Sequence, residues 1–183
     1  FMRIAILSDI HANREAFDAC LAHAERQKVD RYVFLGDLVG YGADPQYIVD
    51  RIARFAEEGA IVLRGNHDEA AVTLAIDGMN EYARAAIQWT NKTLDEASRQ
   101  FLANLPMSVV EDDRLYVHSE ATMPTEWRYI TDAATAERSL RATEGLLGGA
   151  AGGQVAVGRK QVESVPQVLV ARTDRRVQSG LAH

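Results

Sequence analysis

The stretch MRIAILSDIH, residues 2–11, decides the fold, because a short apolar run ends there in polar residues that can carry chemistry. Residues 2–8 are rich in isoleucine and have the length of one buried strand. An apolar face at three-to-four spacing begins at Phe17, and Asn13 can cap the helix that this spacing predicts. The stretch therefore predicts a strand, a polar turn and a helix.

The same strand and helix unit occurs twice more along the chain. Residues 32–35 form a second apolar run before a helix that opens at Pro45, and residues 60–63 form a third. This alternation is typical of neighbouring parallel strands joined by right-handed crossovers. Thr93 and Glu96 stand at capping-box spacing, which predicts the start of another helix that Pro106 ends.

The later segments have a different pattern, and the first two of them favour a hairpin over a crossover. Residues 108–110 and 115–117 flank an acidic turn and predict a hairpin. Residues 154–157 and 168–171 predict two further strands, and a helix is expected around residues 136–142. The glycine-rich residues 148–153 are interpreted as a mobile loop. The predicted fold class is thus α/β with α+β character.

Length and composition limit the classes of protein to consider. A chain of 183 residues suits one domain, predicted over residues 2–183. Its 25% charged and 47% hydrophobic residues are typical of a soluble globular protein. The net charge of -6, without a basic cluster, argues against duplex nucleic acid as a partner. The sequence does not indicate an oligomeric state.

The single cysteine and the short opening apolar run bear on the cellular location. Cys20 cannot form an internal disulfide, which fits a reducing compartment. Residues 4–7 are too few for a signal-peptide core or a spanning helix. We therefore expect a cytoplasmic protein with no membrane partner.

Residues with metal-binding side chains cluster where predicted strands end. In an open α/β sheet these ends build one crevice. Oxygen and imidazole ligands without thiolate suit Mn, Fe, Zn or Ni. A carboxylate shared by two cations suits phosphoester hydrolysis, in which the metals hold the attacking and leaving oxygens. The residues concerned are Asp9, His11, Asp37, Asn66, His67 and His118.

Four short motifs follow one another in a recognisable order. They are Asp9-Ile10-His11, Gly36-Asp37, Gly65-Asn66-His67-Asp68 and Val117-His118. Together they resemble the first four motifs of the calcineurin-like metallophosphoesterases. The resemblance implies the family fold, in which two packed mixed β-sheets are flanked by helices.

The resemblance also implies a ligand set for two divalent cations, with Mn²⁺ as the first choice and Fe, Zn or Ni as alternatives. In that assignment Asp9 and His11 bind one metal, Asn66 and His118 bind the second, and Asp37 bridges both. A hydroxide between the metals attacks the phosphorus of a phosphate monoester or diester in line.

The remaining family roles concern the substrate. His67 donates a hydrogen bond or proton to the departing oxygen as a catalytic group, and Asn66 and His67 contact the bound phosphate. Asp68 is predicted to be catalytic by orienting His67.

The second motif indicates a branch of the family. Residues 36–45 lack the second aspartate and the arginine of the eukaryotic-type serine/threonine phosphatases. The wording is more similar to the prokaryotic branch that is labelled phosphodiesterase or diadenosine tetraphosphatase-like. A small phosphorylated substrate is therefore the expected partner. Tyr41 either stacks on a substrate base or covers its loop, and Arg64 either faces phosphate or forms a surface ion pair.

The fifth family motif, GHxH, is not found. Residues 155–158 match the approach to it and residues 165–169 match the exit, but residues 159–164 contain no histidine. Three explanations stay open: residues missing from the chain beside Gly158, an incomplete metal site, or a contribution from His183. The alternative function is accordingly a non-catalytic binding or regulatory protein with this fold.

Overall fold

The computed structural model describes residues 2–143, 154–157 and 167–173, with the last two ranges described only as strand backbone. The glycine-rich residues 148–153, His183 and the junction between Gly158 and Arg159 lie outside the described residues. The three explanations for the fifth motif therefore stay open.

The first sheet, as far as the structure describes the chain, has four strands and carries the early crossovers. Strands β1, β2 and β3 are parallel, as the alternating pattern predicted, and β7 pairs antiparallel with β1 along its whole length. The order across the sheet is β3-β2-β1-β7. The strands are β1 (Met2–Ser8), β2 (Arg31–Phe34), β3 (Ile61–Val62) and β7 (Gln167–Thr173).

The second sheet has three strands among the described residues, in the order β4-β5-β6. Strands β4 (Ser108–Glu111) and β5 (Arg114–Val117) form the predicted hairpin, and β6 (Gln154–Val157) runs parallel to β5. Both sheets are therefore mixed, as the fold class required.

The described residues include six α-helices, and their caps test the sequence interpretation. The side chain of Asn13 accepts a hydrogen bond from the N–H of Ala16, which confirms it as the cap of the first helix. Pro45 opens the second helix as predicted. The helices are α1 (Arg14–Arg26), α2 (Pro45–Glu57), α3 (Asn66–Thr73), α4 (Glu81–Thr93), α5 (Glu96–Asn104) and α6 (Ala133–Thr143).

The predicted capping box of Thr93 and Glu96 is wrong. Thr93 is the last residue of α4, and its hydroxyl donates to the carbonyl of Trp89. The cap of α5 is Asp95, whose carboxylate accepts a hydrogen bond 2.7 Å long from the N–H of Ser98. An acidic cap one residue before the helix satisfies the same orphan N–H groups without Thr93.

Apolar side chains are buried on both faces of the first sheet. On one face Leu7 and Phe34 pack in a cluster with residues of the covering helices, including Phe17 of α1 and Ile48 of α2. On the other face the buried ring of Tyr116, from β5, packs with residues of the first sheet. The two sheets therefore face each other across apolar side chains, as the family fold predicted.

No helix in the described part of the chain combines the length and apolarity needed to cross a bilayer.

A substitution at Lys28 measures the backbone strain that follows the C-terminal end of α1. Lys28 follows the C-cap of α1, is exposed, and has a φ of 54°, in the left-handed region that favours glycine. We expect Lys28→Gly to raise the free energy of unfolding by about 0.5 kcal/mol in urea denaturation, because the relieved strain exceeds the added unfolded-state entropy. Lys92→Gly, in the exposed last turn of α4, should instead lower it by about 1 kcal/mol. Equal effects of both changes would contradict this reasoning.

Candidate metal centre

The ends of four strands bring the predicted ligands to one place. Asp9 and His11 follow β1, Asp37 follows β2, and His118 directly follows β5 of the second sheet. Asn66 follows β3 and begins α3. The centre therefore lies where both sheets end, and each sheet supplies side chains to it.

Asp37 is the most buried of these residues, with no exposed surface. Its Oδ1 accepts a hydrogen bond of 2.8 Å from the backbone N–H of His67. Its Oδ2 has no hydrogen-bond partner within the described residues, yet lies 3.5 Å from Nε2 of His118 and 3.7 Å from Nε2 of His11. Two ligands bound about 2.1 Å from one cation stand about 3.0–3.4 Å apart, so these separations suit a shared cation after a small contraction.

Asp9 and Asn66 complete the group around Asp37. Oδ1 of Asp9 is buried, lacks a hydrogen-bond partner within the described part of the chain, and lies 3.9 Å from Nε2 of His11. Its Oδ2 accepts a hydrogen bond from the hydroxyl of Ser8. Oδ1 of Asn66 lies 3.3 Å from Nε2 of His118. The structure thus brings all five predicted metal ligands together.

The candidate ligand atoms fall into two overlapping groups. Asp9, Asp37 and His118 form one group, and His11, Asp37 and His67 form the other, with the ligand atoms of each within 4.8 Å of one another. Asp37 belongs to both, which fits a bridging carboxylate. His67, to which the resemblance assigns no metal, is one of the three residues of the second group. The assignment of each residue to one metal stays a prediction.

Backbone carbonyls orient two of the imidazoles. Nδ1 of His11 lies 3.1 Å from the carbonyl oxygen of Val39, and Nδ1 of His118 lies 2.8 Å from that of Leu35. An Nδ1–H that donates to these oxygens leaves the lone pair of Nε2 directed at the centre. The sequence does not predict these partners, because a backbone carbonyl has no sequence signal.

Asp68 holds the loops of the site together. Its Oδ1 accepts hydrogen bonds from the backbone N–H groups of Leu38 and Val39, and its Oδ2 accepts one from Gly65. The two segments that it joins carry Asp37 and His67. These contacts make Asp68 a positioning residue for the loops, whereas its predicted orientation of the His67 ring stays a prediction.

Electrostatics of the metal-free centre couple the carboxylates to the imidazoles. Burial raises the pKa of Asp37, but the facing imidazoles, His118 foremost, outweigh burial and hold that pKa well below its usual range. Burial lowers the pKa of His118, but the charges of Asp37 and Asp9 outweigh it and raise the pKa to about 9. Burial and the neighbouring Asp37 raise the pKa of Asp9, and the same two causes raise that of Asp68 to about 7. At neutral pH the raised pKa therefore favours the protonated, imidazolium form of His118 in the metal-free site.

The turns that carry the ligands are conformationally strained. Asp9, His11 and Asp37 have φ values of 56°, 49° and 52°, in the left-handed region that costs roughly 1–3 kcal/mol for a residue other than glycine. A Cβ on Gly65 would lie 2.2 Å from the backbone nitrogen of Asp37, so glycine is required where the two loops meet. Strain of this kind often accompanies functional sites.

The two residues left open by the sequence have different surroundings. Arg64 pairs with Glu69, and its guanidinium donates to the carbonyl oxygens of Ala103 and Leu105. These contacts favour the interpretation of Arg64 as a structural ion pair. The ring centroid of Tyr41 lies 5.0 Å from that of His11 and 4.7 Å from that of His67. Tyr41 is therefore a neighbour of the site that the motifs alone do not single out.

The fold and the ligand geometry agree with a comparison against known families. The model of the calcineurin-like phosphoesterases matches residues 2–143 of this chain. The chain belongs to that family, which is metal-dependent.

Individual relatives give the same result. The chain is 33% identical over 132 residues to the uncharacterized protein MJ0912 of Methanocaldococcus jannaschii, a match that covers 69% of this chain and 53% of that protein. It is 39% identical to a metallophosphoesterase of Sphaerobacter thermophilus, with a TM-score of 0.66 over 77% of this chain and 56% of the other. The hypothetical protein PH1004 of Pyrococcus horikoshii shares the fold, with a TM-score of 0.71 at 22% identity, over 79% of this chain and 66% of that one. The chain spans about half the length of the first two relatives.

Replacing Asp37 tests whether the cluster binds metal. Asp37→Asn keeps an acceptor for the N–H of His67 but removes the shared charge. With Mn²⁺ at a hundredfold excess over its dissociation constant, wild-type protein should gain about 2.7 kcal/mol of stability in thermal or urea unfolding. The variant should gain almost none, while the control His23→Ala, at an exposed histidine of α1, should gain as much as wild type. Equal Mn²⁺ stabilisation of Asp37→Asn and wild type would contradict the assignment.

Metal affinity should also depend on pH. A cation that binds His118 must displace its proton, and the pKa of His118 is raised to about 9 in the metal-free protein. Affinity should therefore rise about tenfold per pH unit between pH 6 and 8 and level off above about pH 9. Isothermal titration with Mn²⁺ measures this dependence, and His118→Gln should reduce its slope. An affinity that stays constant from pH 6 to 8 would show that His118 is not a ligand.

Proposed function

We propose that this chain is a divalent-metal-dependent hydrolase of phosphate monoesters or diesters. The observation that carries the proposal is the position of Asp37, a fully buried carboxylate common to two groups of candidate ligand atoms. A shared carboxylate offsets the repulsion between two cations and allows them to be held close together. The membership of the chain in a phosphoesterase family supports the same activity.

The residues that would hold the cations are Asp9, His11, Asp37, Asn66 and His118. Their oxygen and imidazole donors suit Mn²⁺ as the first choice, with Fe, Zn or Ni as alternatives. When bound, the cations would neutralise phosphate charge and lower the pKa of water to near neutrality. The fit rests on the two buried carboxylate oxygens, on Asp9 and Asp37, that lack a hydrogen bond within the described residues.

His67 is the proposed proton donor to the departing oxygen. Its side chain is buried, with 1% of the residue exposed, and its backbone is fixed by the hydrogen bond to Asp37. Its ring centroid lies 4.8 Å from that of His11, so the imidazole stands beside the metal centre. Asn66, next to it in sequence, would share contact with the substrate phosphate. A positioned proton donor contributes roughly 10²- to 10⁴-fold to the rate.

The substrate class and the cellular location are also proposed. A small phosphorylated molecule is the proposed substrate, because the net charge of -6 disfavours duplex nucleic acid. The protein is proposed to act in the cytoplasm, since its single cysteine suits a reducing compartment.

A second candidate is a non-catalytic binding or regulatory protein with an incomplete metal site. The sequence favours it at one point, since residues 159–164 contain no histidine where the family places two. Without those imidazoles each cation keeps at most three protein ligands, with Asp37 counted twice. Catalysis then requires that the remaining ligands hold both cations.

An assay with a generic aryl phosphodiester and Mn²⁺ distinguishes the candidates. We expect wild-type protein to release the phenol of the diester, Asp37→Asn to be inactive, and His67→Ala to lose about 10²- to 10⁴-fold in kcat. His23→Ala is the matched control, because it removes an exposed imidazole of α1. The control should retain wild-type activity.

Two measurements together would contradict the hydrolase proposal. If wild type hydrolyses the diester no faster than Asp37→Asn and binds almost no Mn²⁺, the hydrolase proposal fails. The non-catalytic candidate then becomes the better account.

A further inference from the structure

A cleft of about 330 Å³ opens beside the metal centre. Its walls come from residues 10–13 between β1 and α1, from Glu15 in the first turn of α1, and from residues 41–44 between β2 and α2. His11 lines the cleft and is also a candidate metal ligand. Part of a substrate whose phosphate lies at the centre can therefore extend into this cleft.

Tyr41 forms the wall between the cleft and His67. The residue is 43% exposed, and its ring packs against the rings of both His11 and His67. Gly40 brings this loop directly onto His67, since a Cβ there would lie 2.6 Å from Nδ1 of the imidazole. If His67 protonates the departing oxygen, as the proposed function holds, the cleft is on the side of the leaving group.

The lining of the cleft includes two carboxylates, from Glu15 and Asp44. Asp44 occupies the N-cap position of α2, but its side chain makes no capping hydrogen bond. Within the described part of the chain, neither carboxylate has a hydrogen bond or an ion pair. The neighbouring Asn13 differs, because its side-chain oxygen is engaged by the N–H of Ala16. Glu15 and Asp44 are thus acceptors that a ligand can use.

We propose that this cleft binds the leaving group of the substrate and selects one that presents hydroxyl or amino donors and a flat ring, without a further phosphate. The half-exposed ring of Tyr41 offers a face for stacking, and the two carboxylates accept hydrogen bonds. A second phosphate in the leaving group meets two like charges there. This assignment rests on the proposed function, because it takes the side of His67 as the leaving side.

The reaction that the cleft serves is a simple hydrolysis. A water oxygen forms a bond to phosphorus, the bond from phosphorus to the leaving oxygen breaks, and a proton passes to that oxygen. The products are phosphate, or a phosphate monoester, and a free hydroxyl compound. The cleft therefore holds an alcohol product rather than a phosphorylated one.

Phosphate release from two matched compounds tests the selection. Adenosine 5′-monophosphate releases adenosine, whereas adenosine 5′-diphosphate releases a leaving group that retains a phosphate. We expect wild type to favour the monophosphate in kcat/KM by about tenfold, and the double variant Glu15→Gln, Asp44→Asn to reduce this preference at least about threefold. The control Glu25→Gln removes one negative charge from an exposed position elsewhere on α1 and should leave the preference unchanged.

Binding of adenosine to the metal-free protein gives a readout independent of hydrolysis. In ¹⁵N NMR spectra adenosine should shift the amide signals of Tyr41 and Ala43, and the double variant should bind it about fivefold more weakly. If wild type hydrolyses neither phenyl phosphate nor the aryl phosphodiester but these shifts occur, the proposed function fails, and the cleft remains a binding site for a flat ring with hydrogen-bond donors but not for a leaving group. Unshifted amides, or a double variant with the wild-type preference, would overturn the assignment.

Discussion

The buried carboxylate of Asp37 is the constraint on which the rest of the site depends. A carboxylate with no exposed surface costs several kcal/mol unless charges and donors compensate it. Within the described residues, one oxygen accepts a hydrogen bond from the N–H of His67, and the other faces the imidazoles of His118 and His11 at 3.5 and 3.7 Å without a hydrogen bond. The imidazoles outweigh the cost of burial and keep Asp37 charged. The site is therefore organised around a buried charge with one oxygen that makes no hydrogen bond within the described residues and that a cation would bind.

The fold delivers this arrangement because strand ends from both sheets meet at one place. Asp68 then fixes the turns, since its two oxygens hold backbone N–H groups of the loop after β2 and the loop before α3. The left-handed backbone at Asp9, His11 and Asp37 shows that the turns are held in conformations that are unfavourable for residues other than glycine. Packing of the sheets and helices thus supports a preorganised group of ligands.

Local patterns in the sequence predicted much of this structure, and long-range contacts account for what they missed. Apolar runs and motif order predicted the parallel strands, the hairpin and the convergence of the five ligands, because strand ends share one edge of a sheet. The capping box at Thr93 was wrong because α4 continues to that residue and Asp95 provides a better cap. The loop contacts of Asp68 could not be predicted, since Leu38 and Val39 lie 30 and 29 residues away in sequence. The position of Tyr41 against two imidazoles likewise depends on the path of its loop.

The chain spans about half the length of two of its relatives, so the ligand set of the described residues has to be tested on this chain itself. Anomalous X-ray scattering from crystals soaked in Mn²⁺ does so most directly. The account predicts a manganese peak about 2.0–2.3 Å from an oxygen of Asp37, with Nε2 of His11 or His118 at a similar distance. Manganese bound only at other carboxylates, with none in contact with Asp37, would contradict it.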